Sequence, residues 1–166
     1  MLRVFFLVSA LVSPGILWAQ RNLDLEYVEG IEPLHYVVQR SLGPINIDGK
    51  LDEPSWQRAE WTPAFVDIEG ERKEKPAFLT RAKMLWDDKY FYIAADLEEP
   101  HVWATLTKRD AVIYRDNDFE VFIDPDGDTH LYYEFEINAL GTEWDLLLAK
   151  PYRDGGPYIN AWYIDG

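Results

Sequence analysis

The segment from Ile113 to Asn138, IYRDNDFEVFIDPDGDTHLYYEFEIN, predicts two β-strands joined by a turn. Along each strand, apolar residues alternate with acidic, amide and aromatic ones, which is the period of two that a strand produces. The set predicted to face the core is Phe119, Val121, Ile123, Leu131, Tyr133, Phe135 and Ile137. The set predicted to lie on an open face is Glu120, Phe122, Asp124, Tyr132, Glu134, Glu136 and Asn138. This hairpin therefore predicts an antiparallel sheet with one acidic and aromatic side.

The rest of the chain repeats this kind of pattern. The stretch FLTRAKMLWDDKYFYIAADLEE predicts a second hairpin, whose strands are joined at residues 87–89. A turn signal at Asp48 and Gly49 precedes a short helix predicted near residues 54–59. Short strands with many turn signals and a single brief helix predict an all-β protein, an antiparallel, jelly-roll-like β-sandwich.

The N-terminal twenty residues, MLRVFFLVSALVSPGILWAQ, have the features of a secretory signal peptide. A basic Arg3 is followed by an apolar stretch and by the small Ala19. The apolar stretch is short for a membrane anchor, which needs ~20 apolar residues. We therefore expect a signal peptide at 1–20, an N-terminal segment at 21–42 and a β-sandwich domain at 43–166. The expected location is secreted or periplasmic, with no membrane insertion after removal of the signal.

Composition and charge narrow the range of partners. The 166 residues carry a formal net charge of -14 and include no Cys. Nucleic acids are bound by clustered Lys and Arg, so this charge argues against a nucleic-acid partner. The absence of Cys excludes disulfides, thiol catalysis and Cys-ligated zinc. An exported domain without disulfides depends on its core, and calcium is a candidate structural cofactor.

The turn DPDGDTH can be compared with the calcium-binding loop of an EF-hand. Asp124, Asp126 and Asp128 have the spacing of the first three EF-hand ligands. Thr129 stands where an EF-hand requires Gly, and Phe135 where it requires Glu, so the EF-hand interpretation fails. A looser calcium site and an ordinary Asp/Gly turn remain open.

The acidic side of the hairpin suggests either catalysis or binding. Glu120, Glu134 and Glu136 resemble the paired carboxylates of glycosidases, although acids on one sheet face are also common as a solvated surface. The sequence shows no GxSxG, HExxH or phosphate-binding loop. Flat aromatic rings beside hydrogen-bonding side chains suit a sugar, which offers apolar C–H faces and hydroxyls. The candidate carbohydrate-binding residues are Tyr114, Trp103, Glu120, Glu136 and Asn138, and each also has a purely structural interpretation.

Three motifs together resemble a known family. They are IDGKLDEPSW, AKMLWDDKYFYIAADLEEPHV and DNDFEVFIDPDGDTHLYYEFEINALGTEWD, which lie between Ile45 and Asp145. In order and spacing they resemble the family 9 carbohydrate-binding modules. The resemblance implies an antiparallel β-sandwich, often stabilised by calcium, that binds the ends of glucan or xylan chains and smaller sugars. Such modules are usually attached to, or encoded near, glycoside hydrolases.

The resemblance also implies roles for particular residues. Tyr114 falls at one aromatic wall of the family's sugar clamp, and Glu120 at a carboxylate that accepts hydrogen bonds from sugar hydroxyls. Asn138 matches an Asn of the following strand, while Glu136 stands where sugar-binding members carry Arg. In the family the second clamp aromatic comes from later strands. Either Trp162 or Trp103 substitutes for it, or the sequence is a truncated copy of a longer protein, and we expect a sandwich that is incomplete at its C-terminal end.

The sequence thus predicts an exported, non-catalytic module that binds a poly- or oligosaccharide and takes part in polysaccharide breakdown or uptake. The predicted ligand is neutral or cationic. Two alternatives remain: a glycoside hydrolase domain that cleaves O-glycosidic bonds, and a calcium-dependent interaction or adhesion domain.

Overall fold

The computed structural model describes residues 3–5, 34–156 and 158–160. The described residues form two compact units, the first from 3–5 and 34–100 and the second from 101–156 and 158–160. The remainder of the predicted signal peptide, most of the segment at 21–42, and Trp162 lie outside the described residues. Among the described helices, none has the length and apolar character needed to cross a bilayer.

The first unit contains five strands and one α-helix. They are β1 (Arg3–Phe5), β2 (His35–Val37), β3 (Gln39–Arg40), α1 (Pro54–Arg58), β4 (Thr80–Trp86) and β5 (Phe91–Leu97). Strands β1 and β2 form an antiparallel pair, and β3, β4 and β5 form a second sheet in that order. The pairing of β3 with β4 is parallel, whereas β4 and β5 form the antiparallel hairpin predicted from the sequence.

The core of the first unit is built around helix α1. Pro54 opens the helix, where its fixed φ angle and missing N–H are tolerated. Trp56 is 3% exposed and packs in one cluster with Ala59 and with Leu85 of β4. The buried Lys83 donates a hydrogen bond to the carbonyl oxygen of Trp56 over 2.8 Å. The predicted short helix and the core role of Trp56 are both confirmed.

The second unit is a four-stranded antiparallel sheet. Its strands are β6 (Asp118–Ile123), β7 (Tyr132–Asn138), β8 (Glu143–Leu148) and β9 (Tyr158–Asn160), paired in that order. In the β6–β7 hairpin, Glu120 lies opposite Glu136 and Phe122 lies opposite Glu134. The predicted hairpin is therefore confirmed, with the acidic side chains on one face.

The predicted core side of this hairpin is wrong. None of its seven residues is buried, and Ile123, Leu131 and Tyr133 are exposed. The buried cluster of this unit lies on the other face, where it consists of Ile113, Trp144, Leu146 and Leu148. These three β8 residues lie in register with Glu136, Glu134 and Tyr132 of β7. The apolar side chains of β8 therefore share a face with the acids, and the connection before β6 covers them with Ile113.

Candidate functional site

Four carboxylates occupy one side of β6 and β7, which we call the acidic face: Asp118, Glu120, Glu134 and Glu136. Asp118, Glu120 and Glu136 bring carboxylate oxygens within 4.8 Å of one another. Glu120 is exposed, whereas Glu136 is only 1% exposed and Glu134 is buried. In the described part of the chain, no Lys or Arg forms an ion pair with these four side chains.

Burial and mutual repulsion raise the pKa values of this group. Burial raises the pKa of Glu136 to about 8, and the charges of Glu120, Asp118 and Glu134 add to the rise. Burial raises the pKa of Asp118 to about 6, with a further contribution from the charge of Glu120. Burial also raises the pKa values of Glu120 and Glu134. At neutral pH Glu136 therefore holds a proton, because its charged form is disfavoured in this setting.

Tyr114 stands beside the acidic face on a short 3-10 turn, Ile113–Arg115. Ile113 is fully buried and anchors this turn against β8. The backbone N–H of Tyr114 donates to Oε2 of Glu136 over 3.0 Å. The Tyr114 side chain is 60% exposed, and its ring centroid lies 6.2 Å from that of Trp144. Tyr114 is thus fixed through its backbone and presents its ring to solvent.

Asp116 holds the connection that carries Tyr114. Its carboxylate accepts hydrogen bonds from the backbone N–H groups of Thr105 and Leu106, over 2.9 and 2.8 Å. The Thr105 hydroxyl and the Asn138 side-chain amide donate to it over 2.7 and 2.9 Å. Burial opposes the charge of Asp116, but these hydrogen bonds outweigh it and lower the pKa to about 2. Asp116 therefore remains ionised and ties residues 105–106 to the start of β6.

Asn138 belongs to the same hydrogen-bond network. It is buried, and its side-chain amide donates to the carbonyl of Leu106 as well as to Asp116. Its side-chain oxygen accepts the backbone N–H groups of Leu140 and Thr142, each over 3.0 Å. Its donors and acceptor are thus occupied within the fold, which gives Asn138 a structural role, while the sugar-binding role of Asn138 stays a prediction.

The structure brings three of the five candidate carbohydrate-binding residues together, and these are Tyr114, Glu120 and Glu136. Trp103 lies in the connection before β6 with half of its side chain exposed, and no hydrogen bond or ring contact joins it to the acidic face in the described residues. Glu136 lies close to Tyr114 and is 1% exposed, and its sugar-binding role stays a prediction.

Two further residues contact or extend the acidic face and were not among the sequence candidates. Asp118 continues the alternation of Glu120 by one step, so the pattern contained the signal for it. Tyr152 follows β8 in a separate turn, and its hydroxyl donates to Oε2 of Glu134 over 2.7 Å. Strand alternation gives no signal for Tyr152, because its position depends on how the chain returns after β8.

The Asp-rich turn between β6 and β7 has its own internal hydrogen bonds. The two oxygens of Asp124 accept the backbone N–H groups of Gly127 and Thr129, over 3.0 and 2.7 Å. Gly127 and Thr129 both adopt positive φ angles, which suits a tight turn at Gly and is uncommon at Thr. Asp124, Asp126 and Asp128 also offer oxygens within 4.8 Å of one another. This donor set consists of carboxylate oxygens, the ligand type that calcium prefers.

Comparison with protein families places this arrangement in context. A family described as carbohydrate family 9 binding domain-like matches residues 47–147 of the chain. The chain belongs to this family. The matched region contains Tyr114 and all four carboxylates of the acidic face, and it ends before Tyr152. Membership, together with the predominance of antiparallel strands, confirms the recognised resemblance and the all-β, β-sandwich class.

Curated relatives of this carbohydrate family 9 domain are much longer proteins. Exoglucanase XynX of Acetivibrio thermocellus is 30% identical over 99 residues, which is 60% of this chain and 8% of the relative. Endo-1,4-beta-xylanase C of Paenibacillus barcinonensis is 33% identical over 82 residues, or 49% of this chain and 7% of the relative. Endo-1,4-beta-xylanase A of Thermoanaerobacterium saccharolyticum is 34% identical over 99 residues, or 60% and 8%. The chain thus spans less than a tenth of these relatives, and no solved structure matches it.

Proposed function

We propose that this domain binds poly- or oligosaccharides on its acidic face without cleaving them. The observation that carries the proposal is the pairing of an exposed ring, Tyr114, with an exposed carboxylate, Glu120, on neighbouring elements of one face. Membership in a carbohydrate-binding family supports the same ligand class.

The two side chains supply complementary interactions. The Tyr114 ring offers a flat apolar surface for the C–H face of a sugar ring, and Glu120 accepts hydrogen bonds from sugar hydroxyls. Glu136 positions Tyr114, because its carboxyl group accepts a hydrogen bond from the Tyr114 backbone N–H and so fixes where the Tyr114 ring lies. A site whose aromatic and polar groups are held in place before binding loses less conformational entropy when the ligand arrives.

Burial favours binding over glycoside hydrolysis. A general acid must come within hydrogen-bond reach of the oxygen that it protonates. Glu136 has the most strongly raised pKa of the group, yet it is 1% exposed and already engaged with Tyr114. We therefore expect no cleavage of xylan or cellulose oligosaccharides by the domain, and no turnover for Glu120→Gln to abolish.

The biological setting is part of the proposal. The relatives are named as xylanases and an exoglucanase, so xylan and glucan chains are the first ligands to test. We infer an exported domain that acts beside an attached or co-encoded glycoside hydrolase in polysaccharide breakdown or uptake. The charge of -14 argues against a nucleic-acid partner.

Calcium is proposed as a structural ion at the Asp-rich turn. The oxygens of Asp124, Asp126 and Asp128 fit a hard cation, and binding there would offset the repulsion of three neighbouring carboxylates. Calcium is expected to raise the melting temperature of the full chain, and Asp126→Asn to abolish this rise. An equal melting temperature in calcium and in chelator would reject the ion. If a protein partner bound independently of sugar and was lost in chelator, the adhesion alternative would replace the proposed function.

Calorimetric titration of the full chain with xylohexaose and cellohexaose tests the sugar-binding proposal. Tyr114→Ala should remove most of the affinity, since aromatic contacts contribute strongly to sugar binding. Tyr133→Ala is the matched control, because Tyr133 is also an exposed Tyr but lies on the opposite face of β7. Failure of the folded wild-type chain to bind any glycan of a wide panel would refute the proposal.

A further inference from the structure

Tyr152 lies on a turn with a closely specified backbone. The 3-10 turn Tyr152–Asp154 follows β8, outside the part of the chain that matches the family. Gly155 closes the turn at a φ of 71° and donates its N–H to the carbonyl of Tyr152 over 2.9 Å. A Cβ atom on Gly156 would lie 2.0 Å from the carbonyl oxygen of Lys150, so only Gly fits there. Glycine is therefore required at Gly156, which follows directly after Tyr152 and its neighbours in this turn.

The side chain of Tyr152 is tied at its tip and open along its ring. Its hydroxyl donates to Oε2 of the buried Glu134, while 49% of Tyr152 remains exposed. Burial and the hydrogen bond to Glu134 raise the pKa of Tyr152, so the phenol keeps its proton as a donor. No aromatic ring contact occupies the Tyr152 ring among the described residues. An aromatic side chain is thus held in place with half of it exposed, which lowers the entropic cost of using it for binding.

Tyr152 and Tyr114 are hydrogen-bonded to two neighbouring carboxyl groups on the same side of β7. Glu134 holds the Tyr152 hydroxyl, and Glu136 holds the Tyr114 backbone N–H. Residues two apart on a strand share a face and lie roughly 7 Å apart. Glu120 is directly opposite Glu136 on β6, on the same face. Two exposed aromatic residues therefore border the group of carboxylates along β7.

We propose that Tyr152 is a second ligand-contacting aromatic residue, and that a bound oligosaccharide contacts the exposed Tyr114, Glu120 and Tyr152 above the buried Glu134 and Glu136. The inference rests on the proposed function, and it extends the site beyond the residues that the family comparison covers. Glu134 is a positioning residue in this account, since it fixes the Tyr152 hydroxyl and is itself buried. The Tyr152 ring supplies the contact.

The test is calorimetric titration of the full chain with xylohexaose and cellohexaose, using three variants at this position. Tyr152→Ala removes the ring and should weaken binding roughly three- to tenfold, the range expected for one aromatic contact. Tyr152→Phe keeps the ring and loses only the bond to Glu134, so its affinity should lie between those of Tyr152→Ala and the wild type. Tyr152→Leu keeps apolar bulk without an aromatic face, so it should bind as weakly as Tyr152→Ala. It also serves as the folded variant if Tyr152→Ala does not fold.

The controls separate this inference from the proposed function. Tyr133→Ala, on the opposite face of β7, should bind like the wild type. If Tyr114→Ala abolishes binding while folded Tyr152→Ala and Tyr152→Leu bind like the wild type, the inference is overturned and the proposed function stands. If the folded wild-type chain binds neither oligosaccharide nor any other glycan of the panel, both are overturned.

Discussion

Replacement of the buried Glu136 by Gln should stabilise the protein at alkaline pH. Glu136 is 1% exposed, and burial together with the charges of Glu120, Asp118 and Glu134 raises its pKa from 4.5 to about 8. Gln keeps the size of the side chain and an oxygen that can accept the Tyr114 N–H, but it carries no charge at any pH. The substitution therefore removes the buried charge while keeping the contact.

The sign and size of the effect follow from the pKa values. Between pH 4.5 and about 8 the folded chain holds the Glu136 proton that the unfolded chain releases, so the free energy of unfolding falls as pH rises through this window. One pKa unit corresponds to about 1.4 kcal/mol, which gives an upper limit of roughly 5 kcal/mol for this rise. The neighbouring carboxylates titrate together with Glu136 and share the effect. We therefore expect Glu136→Gln to be about 2–4 kcal/mol more stable than the wild type at pH 8.5, and nearly equal to it at pH 4.5.

Urea denaturation followed by Trp fluorescence at pH 4.5 and pH 8.5 measures this difference. Glu71→Gln is the matched control, because Glu71 is exposed and should give no gain at either pH. The pKa of Asp116 is lowered to about 2, so its stabilising contribution is complete across this window and does not mimic the effect. A wild-type protein that gains stability between pH 4.5 and 8.5, or a Glu136→Gln variant that is less stable at pH 8.5, would refute the reasoning.

Two further substitutions test the packing beneath the site. Leu146→Ala should lower the free energy of unfolding by about 2–5 kcal/mol, because Leu146 is fully buried, whereas Leu147→Ala on the opposite face should lower it less. Urea denaturation of both variants measures the two losses, and equal losses would contradict the placement of the core. Asp116→Ala should lower the denaturation midpoint and increase amide hydrogen exchange at Thr105 and Leu106, since it removes the acceptor of both N–H groups. Unchanged exchange at these two amides would show that Asp116 does not hold the connection before β6 in place.

Local sequence patterns were sufficient to predict both hairpins and the helix. The β4–β5 and β6–β7 hairpins have strong alternation and Asp-rich turns, and these features act within a few residues. The short helix followed from Pro54 and the turn before it. The pairing of Glu120 with Glu136 also follows from the register that such a turn sets.

The side on which the second unit forms its core could not be predicted in this way. Alternation separates two sets of side chains but does not say which set will be covered. The decision depends on the buried residues of β8 and on Ile113, which reaches the same face from the preceding connection. For the same reason alternation assigns Asn138 to the open side, whereas in the structure it is buried and donates hydrogen bonds to Leu106 and Asp116, which lie far from it along the chain.

An NMR titration of the full chain with xylohexaose and with cellohexaose tests most directly whether the acidic face binds carbohydrate. We predict shifts at the Tyr114 amide, which is bonded to Glu136, and along residues 118–122, with much smaller shifts along 118–122 for Tyr114→Ala at the same ligand concentrations. Absence of any shift in the folded wild type, or shifts confined to the β4–β5 turn at residues 87–90, would contradict the account.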